Sequence, residues 1–70
     1  MWLARDEDGT LVLATEKLIK AKNEWVLPEE MIYDSNTDYF IELPTYFREL
    51  FPEIKWENEE ATPVKIVLEL

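Results

Sequence analysis

Carboxylates are the main chemical resource of this chain: sixteen Asp and Glu stand against seven Lys and Arg, with no histidine and no cysteine. Asp34-Ser35-Asn36-Thr37-Asp38 matches the opening D-x-[DN]-x-[DN] of a calcium-binding loop. The match ends there. Tyr39 stands where such a loop turns on glycine, and Thr45 where its bidentate Glu belongs. A strand pattern follows instead of a helix, so the segment reads as a polar surface loop whose side chains bond their own backbone. Asp6-Glu7-Asp8 and the group Glu57, Glu59 and Glu60 offer oxygens to a hard cation. Neither adds neutral carbonyl-type ligands at defined spacing, or histidines for a transition metal. Both read as solvated turns, and no metal or cofactor is expected.

Catalysis needs an acid or base tuned near neutral pH, or a nucleophile beside its base. Only carboxylates, Lys and Tyr remain for that work. Two facing carboxylates hydrolyse glycosides only within a substrate cleft, which a 70-residue domain seldom builds. With one glycine, no phosphate-cradling loop exists. The chain is therefore not expected to be an enzyme or to take a small-molecule substrate.

The elements that must carry any site belong to one small domain, 1–70. A chain of this size buries only about 60% of the surface it exposes unfolded, so its core is marginal without a staple. No disulfide can serve. A net charge of -9 repels phosphate backbones and anionic membranes, so neither nucleic acid nor a membrane is an expected partner. The charge keeps a small domain soluble, or it recognises a basic partner. Met1-Trp2-Leu3-Ala4-Arg5 is too short for a signal-peptide core, and no apolar run spans a bilayer. A cytoplasmic location is expected.

Trp2 to Arg5 and Leu11 to Thr15 read as two strands joined at Asp8-Gly9, a strong hairpin signal. Leu11 and Leu13 share one face and Val12 and Ala14 the other, which predicts a central strand. Residues 16–22 are ambiguous between a helical turn and an irregular edge. Trp25-Val26-Leu27 is a short strand ended by Pro28, and Pro28 to Asp38 a connecting loop. Tyr39 to Leu43 alternates as a strand. Pro44 then opens a short helix that brings Tyr46, Phe47, Leu50 and Phe51 to one side before Pro52 ends it. Ile54 to Glu57 and Val64 to Leu70 are expected to pair as an antiparallel hairpin, with Ile54 and Trp56 on one face. The fold class is α+β: a small, mostly antiparallel sheet of four to five strands with one short helix packed on it.

Residues 39–56 hold six of the nine aromatic rings, more bulk than one small core usually covers. Some rings complete the core and others sit at partly covered edges. Alternatively, part of them form a patch for a protein partner or a second copy. Trp25, Met31, Tyr33 and Tyr46 are the candidate partner-binding residues, with Arg48 placed to anchor a carboxylate. A second reading makes the chain an acidic nucleic-acid mimic that inhibits a DNA- or RNA-binding enzyme. That reading requires Asp6, Asp8, Glu29, Glu30, Asp34, Asp38, Glu57, Glu59 and Glu60 to line up on one face.

The opening Met1 to Leu13, the stretch Ile41-Glu42-Leu43-Pro44 and the stretch Leu50-Phe51-Pro52-Glu53-Ile54-Lys55-Trp56 resemble an uncharacterised family. Its members are short acidic proteins from gut anaerobic bacteria and their mobile elements or phages. The resemblance carries no established activity and assigns no functional residue. A mobile-element origin is what it implies, and that origin suits an anti-defence role for a nucleic-acid mimic.

Overall fold

The computed structural model describes residues 1–28 and 40–65. Strands β1 (Trp2–Arg5) and β2 (Leu11–Ala14) form the central hairpin, pairing Trp2 with Ala14 through Arg5 with Leu11. Gly9 turns it at a φ of 95°, a conformation that side chains rarely adopt. The Asp6 and Thr10 backbones bond across it at 2.8 Å, and the Asp8 carboxylate accepts the Thr10 N–H at 2.9 Å. Strand β5 (Phe40–Glu42) pairs with β2, and β6 (Thr62–Pro63) with β1. The four-stranded antiparallel sheet runs β5-β2-β1-β6. β2 is central, as its two apolar faces predict, and Pro63 sits on an edge strand, where its missing N–H breaks no ladder. Strands β3 (Ile19–Lys20) and β4 (Trp25–Val26) form a separate antiparallel pair, which resolves the ambiguous 16–22 segment.

Alternation along β1 and β2 gives the sheet two apolar faces, and both are covered. On one, Ala4, Val12 and Ala14 meet Leu18, Trp25 and Ala61, with Trp2, Leu27 and Trp56 packed around them. Two alanines leave room for the Trp25 indole to lie close to the sheet. Its Nε1–H reaches the Arg5 carbonyl at 2.9 Å. On the other face, Leu3 and Leu11 meet Ile54, flanked by Leu13, Leu43, Phe47 and Val64.

Among the described residues the structure is mostly sheet and holds no α-helix. The helix expected after Pro44 is a single 3-10 turn, Thr45–Phe47, with no buried residue. Two prolines eight residues apart leave too little chain to repay helix nucleation. Beyond that turn the Arg48, Leu50 and Phe51 carbonyls bond a side chain from β1. Ile54 to Glu57 is not a strand either. Ile54 and Trp56 fall in opposite core clusters, so the expected shared face is corrected along with the hairpin. Of its intended partner, Val64 and Lys65 form no strand, and residues 66–70 lie outside the described residues.

Candidate functional site

The best-organised surface is the 40–51 segment, and it is organised by a residue of β1. Arg5 follows Leu3 on the second face of the sheet, directly opposite Leu11. Its guanidinium has five N–H donors in a planar fork. Nε donates to the Ile54 carbonyl at 2.7 Å. Nη1 donates to Gly9 and Arg48 carbonyls at 2.9 and 2.8 Å. Nη2 donates to those of Leu50 and Phe51 at 2.9 and 3.3 Å. Every donor thus meets a backbone carbonyl, and four of the five carbonyls belong to residues 48–54. One side chain of the sheet thus satisfies the backbone of a segment with almost no regular structure.

Apolar side chains of residues 40–51 point to solvent. Tyr46 is 76% exposed, Ile41 51%, Leu50 48% and Phe51 41%. The Tyr46 ring lies 4.8 Å from that of Phe47, centroid to centroid, and Phe47 packs into the core below it. Phe51 has a φ of 58°, a left-handed conformation costly for a residue with a Cβ. Its carbonyl accepts hydrogen bonds from Arg5 Nη2 and from the Ile54 N–H (2.9 Å), which hold it there.

The residues predicted for a partner surface do not stay together. Tyr46 is the most exposed large apolar residue among those described. Trp25 is corrected as an exposed ring: it is 1% exposed in the free chain and sits at the centre of one core cluster, because Ala4 and Ala14 make a bed for its ring. Arg48 turns to the β1–β2 turn, where Nη2 donates to the Thr10 hydroxyl at 3.1 Å. Met31 and Tyr33 lie outside the described residues. Leu50, Phe51 and Ile41 join Tyr46 instead; the Arg5 tie that presents two of them has no local sequence signal.

A second surface is acidic. Asp6, Glu7, Asp8, Glu24 and Glu42, with Thr10 and Asn23, line a concavity of about 320 Å³. Asp6 is not the solvated turn residue its neighbours suggest: it is 7% exposed, and Oδ1 accepts the Trp25 N–H at 2.8 Å. Burial pushes its carboxyl above the ordinary 3.8, the Trp25 bond opposes this, and Asp8, Glu24 and Glu42 add to the rise. Asp8 is held below 3.8, first by the Thr10 N–H and hydroxyl, with a smaller contribution from Arg48. Glu57 lines a different concavity, and Glu59 and Glu60 a third beside Lys17. The carboxylates named for mimicry therefore divide, while Glu29, Glu30, Asp34 and Asp38 lie outside the described residues. Among the described residues no acidic group is arranged to hold a metal ion, and no helix is long and apolar enough to cross a membrane.

No family model matches this chain, and neither does any curated protein or solved structure.

Proposed function

We propose that this protein is a non-catalytic, cytoplasmic binding module that engages a protein partner, or a second copy, through the apolar surface of residues 40–51. The observation that carries the reading is the Arg5 tie under exposed Leu50 and Phe51. Rigid apolar groups bind with less ordering cost than mobile ones, so fixing them in advance favours association. Aromatic anchors of this kind dominate interface energetics. Exposed Ser replacements at Tyr46 and Leu50 should leave stability within about 0.5 kcal/mol. Capture of a partner from the native host, and any concentration-dependent sedimentation, should be lost in that double variant at high salt. Unchanged capture and sedimentation would remove the reading.

A second reading, the nucleic-acid mimic, loses the single row of carboxylates it asked for and rests on a smaller group, exposed Glu7, Asp8, Glu24 and Glu42 around one concavity. The resemblance to acidic mobile-element proteins points the same way. It expects salt-sensitive capture of a basic nucleic-acid-binding protein, weakened by Glu24→Gln with Glu42→Gln. The 40–51 surface expects salt-resistant capture that these two changes leave intact.

A further inference from the structure

The opposite side of the molecule holds an organic cation of its own. The Trp25 and Trp56 rings meet edge-on, 6.4 Å apart and at 80°. The Lys20 ammonium lies 4.5 Å from the Trp56 centroid and 5.2 Å from that of Trp25, and it donates to the Trp56 carbonyl. Both distances fall within the roughly 6 Å over which a ring face attracts a cation. Glu59 and Glu60 line the adjoining concavity of about 330 Å³ together with Lys17, which pairs with Glu60 at 3.3 Å.

The walls and the occupant differ in how firmly they are held. Trp25 is fixed by its buried ring, by its N–H bond to Asp6 and by its indole bond to the Arg5 carbonyl. Trp56 packs into the same cluster. Lys20 sits on an exposed two-residue strand, and its long side chain reaches the corner from the position paired with Trp25. The receptor is preformed, and its ligand hangs on a rotatable stem.

We propose that Trp25, Trp56 and the Trp56 carbonyl form a binding site for a primary alkylammonium group. Lys20 fills it in the free chain, and a lysine side chain of a partner protein replaces Lys20 when that partner docks. A displaced Lys20 keeps the Glu59 carboxylate within the same concavity, which lowers the cost of exchange. The carbonyl acceptor selects an ammonium that retains N–H donors over a quaternary one. The chain's net charge of -9 draws in the basic surface that would carry such a lysine. This site is separate from the 40–51 surface and stands or falls independently of it.

The test is chemical rescue with n-butylammonium chloride, the side chain of lysine without its backbone. In Lys20→Ala, butylammonium should change tryptophan fluorescence saturably in the millimolar range, and raise the melting temperature beyond equal concentrations of NaCl. Wild type should bind at least about tenfold more weakly, because its tethered Lys20 competes at high effective concentration. Tetramethylammonium should bind Lys20→Ala less well, and Lys20→Ala with Trp56→Ala should bind neither. A natively folded Lys20→Ala with no saturable response, or one that survives loss of Trp56, overturns the site. If Lys20→Ala does not fold, wild type decides by displacement. The Lys20 ε-methylene resonances, shifted upfield by the two rings, should then move back as butylammonium approaches molar concentration. Resonances that stay in place overturn the proposal.

Discussion

Arg5 and Asp6 are neighbours whose side chains leave opposite faces of the sheet, and each satisfies backbone that the sheet itself does not. Asp6 bonds the Trp25 N–H at 2.8 Å and so seats the largest buried ring. Its carboxyl is raised above 3.8, so the folded chain holds that proton more tightly than the unfolded one. Asp6 therefore favours folding below 3.8, and that contribution is lost as pH rises through its raised value. At neutral pH the ionised group opposes folding. Asp6→Asn keeps an oxygen for the Trp25 N–H and removes the charge. Chemical denaturation should find it more stable than wild type at pH 7, with a smaller gain in stability on acidification. Asp6→Ala leaves that N–H unpaired in the core and should lose about 1–3 kcal/mol. An Asn variant less stable than wild type at pH 7 would contradict this account of Asp6.

Between residues and the whole molecule, the decisive element is the 48–54 segment, which has no ladder of its own. Arg5→Lys keeps the charge but offers three donors from a point, where the fork offered five in a plane. About 2–4 kcal/mol should be lost, given that bonds to charged groups each contribute on the order of 1.5–3 kcal/mol before the lysine's partial replacement. Hydrogen exchange should locate the damage: the Leu50 and Ile54 amides should lose protection while those of β1 and β2 keep theirs. Equal loss everywhere would mean that Arg5 supports the sheet instead of the segment. The same element shows which structure was legible in the sequence. The β1–β2 hairpin was, because Asp8-Gly9 and the alternation of Leu11 to Ala14 are local and act together. The strands at Trp25 and Phe40 were legible for the same reason. The supposed helix was not, because Pro44 and Pro52 leave room for a single turn, and the segment beyond it is held by a guanidinium 43 to 49 residues away in sequence. Trp25 was misplaced as a surface ring because hydrophobicity cannot distinguish a buried ring from an exposed one. Only the pairing of Ala4 with Val12 and of Trp2 with Ala14 shows that the sheet leaves a bed for it.

At the scale of the whole molecule, charge and stability pull against each other. The net charge is -9, and among the described residues one ion pair forms, Lys17 with Glu60 at 3.3 Å, with both side chains largely exposed. Such pairs contribute little. Two other cations are turned to different uses, Arg5 to carbonyls and Lys20 to tryptophan rings. Attraction between opposite charges therefore does little to hold the fold, while repulsion among carboxylates, Asp6 to Asp8, Glu24 and Glu42 included, works against it. Screening should relieve more repulsion than attraction. Raising NaCl from about 0.01 M to about 1 M shortens the Debye length from roughly 30 Å to 3 Å. The melting temperature should climb by several degrees over that range, a change of about 1 kcal/mol for a domain this small. Glu24→Gln with Glu42→Gln should reproduce part of the gain at low salt and flatten the salt response. Chloride is the appropriate anion, since sulfate would stabilise by exclusion from the surface whatever the charge. A melting temperature that falls with NaCl would mean that ion pairing, in spite of the excess of acid, holds this fold together.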